Sequence, residues 1–291
     1  NYNTIAKKAI TLKNTNVRIL PTNSPMFYDP SIPGEGFPFD YNQNSAIKIN
    51  TPIIISHLSK DRAWAYIESS TVSGWVEIGT IAFVDKNFIQ EFKTSNYFVS
   101  VKEKFPIYDP IFREYVKVAT IFPKKDGKFI IAKEDDNQNA VISYIDLNAD
   151  EIEPMPLTFN KENRIKIAKQ LMNEPYGWGG LLNNRDCSSF TQDYFATFGK
   201  YLHRNSKAQL SNGKYLDMSN LSNDEKKEFM KKNGVPFSTL VYLKGHIMMY
   251  IGVKDNEPLV MHNMWSVRRK DDSGKKYRHI IGKATVTTLE P

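Results

Sequence analysis

The chain has 291 residues, 41% of them hydrophobic and 24% charged, with a formal net charge of +7 and a single cysteine. That size and apolar content suit two or three domains with packed cores and exclude a disordered chain; no apolar run approaches the roughly 18 to 20 residues of a membrane-spanning helix, and one cysteine cannot close an internal disulfide. The positive balance favours anionic partners, yet Lys124-Lys125, Lys226-Lys227, Lys231-Lys232 and Arg268-Arg269-Lys270 are short groups among acids with no accompanying nucleic-acid motif, so no nucleic-acid partner is expected.

The chain opens at Asn1 with neither a methionine nor an apolar leader, which reads as a mature or trimmed form and leaves an exported location open. Residues 1–16 are polar and weakly patterned and read as a lead-in that wraps the domain behind it. Val17-Arg18-Ile19-Leu20-Pro21-Thr22 then precedes a long loop, 23–44, dense in turn formers: Pro25, Pro30, Pro33, Gly34, Gly36 and Pro38. Loops of that length are usually functional or act as lids. Strand-like runs at 46–49, 52–57, 63–67, 74–76 and 81–83 have the spacing of a small barrel. Among them, Asp61-Arg62-Ala63-Trp64-Ala65-Tyr66-Ile67 and Ser73-Gly74-Trp75-Val76-Glu77 resemble the bacterial SH3 domain, a tryptophan strand followed by a Gly-Trp-Val strand. Residues 94–152 look like a second, more degenerate copy, with β-rich runs at 97–101, 106–108, 115–121, 129–131 and 141–145. The expected division is an N-terminal arm and first SH3-like domain over 1–92, a second SH3-like domain over 93–153, and, past the Pro-containing linker 150–156, a third domain over 154–291.

In the third domain Asn160 can cap a helix with the apolar stripe Ile165, Ile167, Ala168 and Leu171, stopped by Asn173 and Pro175. The Gly-rich turn Tyr176-Gly177-Trp178-Gly179-Gly180 leads to Cys187. Beyond it Phe190, Tyr194, Phe195 and Phe198 recur at three- and four-residue spacing, the pattern of a helix with one buried face. Cys187 then lies in the first turn, where free amides and the positive helix end favour a thiolate. Ser222 and Glu225 form a capping box for a helix to about Lys232, with a left-handed stop at Asn233-Gly234. Strands are expected at 236–243, 247–253, 259–262 and 284–289, carrying His246 and His262 to one side of the Cys187 helix. The pattern is α+β, an antiparallel sheet with helices grouped on one side. A thiol, a histidine base and a second histidine to orient it are the parts of nucleophilic catalysis; the plainer reading is a buried small hydrophobe and two satisfied core histidines.

Tyr176-Gly177-Trp178-Gly179-Gly180, Asp186-Cys187-Ser188, the run Gly245-His246-Ile247 to Tyr250-Ile251-Gly252, and His262-Asn263, in that order, resemble the NlpC/P60 family of papain-like cysteine peptidases, which cut cell-wall peptides. The resemblance runs from about residue 156 to the C-terminus. It implies a multidomain chain: two small all-β SH3-like barrels followed by an α+β papain-like NlpC/P60 domain. Cys187 would be the nucleophile, His246 the base and later the acid, and His262 the orienting residue. The amide of Cys187 or Ser188 and the Tyr176 hydroxyl are candidates for the oxyanion hole, and Trp178 is read as a substrate contact. Family members with appended SH3-like domains cut between γ-D-Glu and the diamino acid of the stem peptide and require the free amine of L-Ala. Asp186, helped by Ser188, would pair with that ammonium; its other reading is the helix N-cap. Arg204 reads either as a clamp on a substrate carboxylate or as a surface arginine. In the family the first SH3-like domain can narrow the cleft against glycan-linked chains, which makes Tyr28, Phe39, Asp40 and Trp64 candidates for that wall or else for packing.

The chain departs from the family in having Ser189 where glycine usually follows Asp-Cys-Ser, and His203 where proline often precedes the arginine. His57, His203 and His279 have no evident partners, and neither a metal nor a cofactor is expected. The expected protein is a monomer acting on peptidoglycan or muropeptides in the periplasm, cell envelope or outside the cell, its signal peptide removed. Two other readings stand: an amidase or acyltransferase with the same Cys-His chemistry, and a catalytically silent wall-binding protein.

Overall fold

A computed structural model describes residues 5–32 and 34–289; residues 1–4 of the expected lead-in and Pro33 of the long loop lie outside the described residues. Seven strands come first: β1 (Lys7–Thr11), β2 (Thr15–Arg18), β3 (Gln43–Ile47), β4 (Pro52–Leu58), β5 (Trp64–Glu68), β6 (Ser73–Glu77) and β7 (Ile81–Phe83). They form one antiparallel sheet in the order β3-β2-β6-β5-β4-β1-β7. The lead-in reading is corrected here, because β1 lies between β4 and β7 and buries Ala9, Ile10 and Thr11. Its flanking lysines masked a strand that only pairing reveals. Residue alternation sends Val17, Ile55, Ala65, Ile67 and Val76 into the core.

A short helix, α1 (Lys86–Phe92), follows, its first turn capped by Asp85 accepting from the Phe88 amide. Then come β8 (Tyr97–Ser100), β9 (Phe105–Tyr108), β10 (Phe112–Val116), β11 (Ile121–Lys125), β12 (Lys128–Glu134), β13 (Ala140–Ile145) and β14 (Ile152–Pro154). They make a sheet in the order β13-β12-β11-β8-β14 and a separate β9-β10 pair. The run expected at 115–121 is two strands, broken where Ala119 takes φ 68°. The expected linker carries β14, paired to β8. Apolar cores cross both expected boundaries: Ile49 packs with Ile107, Phe122 and Ile131, and Val99, Val101 and Val118 pack with Leu157, Ile167 and Phe190.

The last region holds α2 (Lys161–Leu171), α3 (Cys187–Thr197), α4 (Asn223–Asn233), β15 (Leu240–Leu243), β16 (His246–Lys254), β17 (Glu257–Lys270) and β18 (Lys276–Thr288). Asn160 caps α2 by accepting from Asn163, and Ser222 with Glu225 closes the box on α4. Gly234 ends α4 in extended rather than left-handed backbone, at φ −74°. Glycine is required there by crowding, since a Cβ would lie 2.5 Å from the Met230 carbonyl oxygen and 2.7 Å from the Tyr250 ring. The sheet is antiparallel, β15-β16-β17-β18, and α3 lays Phe190, Tyr194 and Phe195 against Met249, Met261 and Ala284. β17 and β18 run well past the expected strands, because beyond Met264 the hairpin is exposed and basic and has no apolar pattern to announce it. Among the described residues no helix is long and apolar enough to cross a membrane.

Candidate active site

The turn before Cys187 is shaped by the first β unit. Gly179 and Gly180 take φ 57° and 86°, and a Cβ on either would lie 2.4 Å from the Gln43 carbonyl oxygen or 2.5 Å from the Ala46 Cβ. Only glycine permits both the left-handed backbone and that approach of β3. Gln43 Nε2 donates to the Gly179 carbonyl at 3.0 Å across the contact. The chain then enters α3 through Asp186, whose carboxylate accepts from the Ser189 amide at 2.8 Å while Ser189 Oγ accepts from the Asp186 amide at 3.0 Å. Ser189, the departure from the family glycine, completes this capping box.

Cys187 is the first residue of α3 and is 8% exposed. The backbone amides of Ile247 and Ser188 hydrogen-bond to its sulfur. His246 heads β16 and His262 lies on β17. The Nε2 of His246 is 2.7 Å from the Nδ1 of His262, and the Nε2 of His262 is 3.2 Å from the Thr287 Oγ1. Beside them Asn263 donates to the carbonyls of Arg185 and Pro175, tying β17 to the cysteine turn.

The surroundings of the thiol weigh against the expected thiolate. Burial, reinforced by the negative Asp186, pushes the Cys187 thiol up to about 12, outweighing the amides that favour the anion. Burial also pulls His246 down to about 4, and burial with the neighbouring His246 pulls His262 down to about 3. Both shifts favour the neutral forms, a thiol and an imidazole.

Buried Asp186 and partly buried Arg204 form an ion pair. Arg204 Nη2 donates to Asp186 Oδ2 at 2.6 Å, Nη1 donates to Oδ1 at 3.1 Å and to Ser188 Oγ at 2.8 Å, and Nε donates to Ser45 Oγ of β3 at 2.8 Å. Arg204 is thus engaged by protein groups through all three guanidinium nitrogens. Burial raises the Asp186 carboxyl, but Arg204 and the Ser189 amide outweigh it and hold the group ionised. Its oxygens also accept from the Gly179 amide and the Ser188 hydroxyl.

Behind α3 lies an ionic knot that the sequence did not reveal. Fully buried Arg185 donates from Nε to Asp193 at 2.7 Å and, through both terminal nitrogens, to Glu103 at 2.7 and 2.9 Å. Lys48 also pairs with Asp193, and Lys117 donates to the Asn183 carbonyl at 2.6 Å. No local pattern could have found partners so far apart in the chain. A crevice of about 1080 Å³ opens on this side, between Ile10, Ile53 and Phe88 and the back of α3; it excludes Cys187, His246 and His262.

The long loop forms an aromatic wall over the turn. Phe39 packs on Trp178 and Tyr176 at 5.3 and 6.4 Å, Tyr41 on Trp178 at 6.1 Å, and Phe37 on Trp265 at 5.8 Å, while Tyr176 and Trp265 are 6.1 Å apart. Phe37, Tyr41 and Trp265 were missed from sequence. Tyr28 packs tilted against Tyr41 at 4.5 Å. Asp40 instead pins the loop, bound to Arg18 at 2.7 Å, and Trp64 is buried. Burial and the nearby Asp186 and Cys187 keep the Tyr176 hydroxyl protonated, hence a donor. His57 stacks on Tyr66 and His203 lies against Tyr201, so these two have partners after all. Among the described residues no group of acids, histidines and cysteine is placed to hold a metal.

Residues 173–279 match the NlpC/P60 family, and residues 25–77 match the SH3 domain of the SH3b1 type. The chain therefore carries an NlpC/P60 domain, a fold of cysteine peptidases and peptidoglycan hydrolases, behind one SH3b domain. The expectation of two SH3 barrels narrows to that one and a second all-β unit, whose strands form an open sheet and a separate pair. Among solved structures, an NlpC/P60 endopeptidase from Photobacterium damselae subsp. piscicida matches with a TM-score of 0.90 at 29% identity, over 99% of this chain and 68% of that one. An NlpC/P60 family protein from Bacillus cereus ATCC 10987 matches with a TM-score of 0.59 at 16% identity, over 98% of this chain and 95% of that one, a likeness of fold alone. No curated protein sequence matches the chain.

Proposed function

From an SH3b domain seated on an NlpC/P60 domain, we propose that this protein is a cysteine endopeptidase that cuts peptidoglycan stem peptides between γ-D-Glu and the diamino acid, on peptides with a free N-terminal L-Ala. The observation that carries the reading is the polar chain behind Cys187: His246 bonds to His262 through Nε2, which leaves Nδ1 for the thiol proton. His246 takes that proton as the sulfur adds to the γ-D-Glu carbonyl. The oxyanion meets the amide of Cys187 or Ser188 and the Tyr176 hydroxyl. Collapse passes the proton from His246 to the departing amine of the diamino acid and leaves a thioester. A water, deprotonated by His246, then attacks the thioester and regenerates the thiol.

Asp186 and Ser188 recognise the L-Ala ammonium. Arg204 acts on the protein rather than the substrate, holding the carboxylate ionised and in place. Trp178 and the wall of Phe37, Phe39 and Tyr41 line the cleft and favour short free peptides over glycan-linked ones. The enzyme works as a monomer in the periplasm or cell envelope, and its SH3b domain supports a cell-wall setting.

Mass spectrometry of digests by wild type and Cys187→Ala tests this, with L-Ala-γ-D-Glu-diaminopimelate peptides offered free, N-acetylated and glycan-linked. Wild-type cleavage after γ-D-Glu on the free peptides only is expected. Cleavage of acetylated peptides at the same rate would remove the amine-reading role, equal cleavage of intact sacculi would remove the selective wall, and no cleavage at all would leave a wall-binding protein.

A further inference from the structure

Thr287 lies on β18, two residues beyond Thr285, the cross-strand partner of His262. A threonine hydroxyl has one proton, and here it goes to the Thr288 carbonyl at 2.7 Å. Toward His262 Nε2, at 3.2 Å, the oxygen has only lone pairs to offer. His262 is 2% exposed, so a bare nitrogen facing that oxygen would leave the buried ring acceptor without a partner. The hydrogen must therefore sit on Nε2. A neutral imidazole carries a single N–H, so His262 Nδ1 is a lone pair, and the 2.7 Å contact requires His246 Nε2 to donate into it. That leaves His246 Nδ1 bare.

We infer that Thr287 is a positioning residue that sets the tautomers of both histidines, so that His246 presents a lone pair rather than an N–H at its free nitrogen. Were the Thr287 proton turned toward His262, both rings would invert and His246 would hold an N–H where a base is needed. The direction of one hydroxyl thus passes through two rings, about 6 Å of hydrogen bonds at ordinary lengths. Both rings are neutral near pH 7 because burial depresses them, which keeps the single-proton count valid. The tautomers follow from the hydrogen bonds alone; their bearing on catalysis rests on the peptidase reading above.

The test is long-range proton–nitrogen NMR of the full chain with ¹⁵N-labelled histidine at neutral pH, on wild type, Thr287→Val and Thr287→Ser, with His246→Gln and His262→Gln to assign the rings. Wild type and the serine variant should show His246 and His262 protonated on Nε2 only, and valine, which fills the same space without an acceptor, should shift His262 toward the Nδ1–H form. On a stem peptide, valine should lower kcat roughly 10- to 100-fold, the scale on which partners that orient histidines act, with KM little changed, and serine should restore most of it. An Nδ1–H His262 in wild type overturns the inference, as do unchanged tautomers or an unchanged kcat in Thr287→Val. Expected tautomers with no hydrolysis by wild type would uphold the assignment and sink the peptidase reading instead. Should the valine variant not fold, the wild-type spectrum and Thr287→Ala still decide it.

Discussion

On the helix side of Cys187 the polar groups are ionised and oversupplied with partners, whereas on the strand side they are neutral and joined end to end by single hydrogen bonds. Asp186 accepts from Arg204, two serines and two amides, and Arg185 binds Glu103 and Asp193 at once. His246, His262 and Thr287 form a line with one contact at each step. The two constructions answer different demands. A buried charge is tolerated only when fully paired, and the pairing here draws Lys48, Glu103 and Arg185 from three regions of the chain, so α3 is held from behind. On the peptidase reading the base must gain and lose a proton in each turnover, and burial favours neutral histidines at rest.

The largest test of this contrast is Arg185→Met. It leaves Glu103 buried without its main counter-charge and Asp193 with Lys48 but no arginine, and should cost about 3 to 5 kcal/mol, read as a fall in denaturation midpoint; an unchanged midpoint would show that the knot contributes nothing. Acid titration separates the two sides further. His246 and His262 have folded values of about 4 and 3 against an ordinary 6.5, so below pH 6.5 the unfolded chain binds protons that the folded one refuses. Stability should fall from pH 6.5 toward 4 and 3 on their account. Burial raises the Asp193 carboxyl, but Lys48 and Arg185 outweigh it and hold it at about 2 against 3.8, so its contribution is whole above 3.8 and is lost only as pH falls through 2. Denaturant melts between pH 7 and 4 should therefore show a shallower loss in His262→Gln than in wild type, and equal slopes would break the assignment. The smallest effect belongs to Phe37→Ala. Its ring is 57% exposed and meets only the edge of the wall, so about 0.5 to 1.5 kcal/mol is at stake. Rates on glycan-linked peptides should rise relative to free ones, and a constant ratio would remove Phe37 from the wall.

Much of the local structure could be read from residues near one another. The apolar spacing after Cys187, the Asn160 cap and the Ser222–Glu225 box all appear as expected, because each depends on groups within a turn or two. β1 and the outer β17–β18 hairpin are not legible in sequence, since their lysines and arginines hide the pattern that pairing and burial later impose, and α1 is only seven residues long. The residues flanking Cys187 by themselves determined a cysteine at a capped helix start beside a glycine turn, with two histidines on following strands. Only the tertiary structure decided that burial and Asp186 disfavour the thiolate, that Arg204 serves Asp186, and that Phe37 and Tyr41 pack on Trp265 and Trp178. Desolvation and Coulomb energy depend on which distant groups surround an atom, and that is fixed by packing rather than by neighbours along the chain.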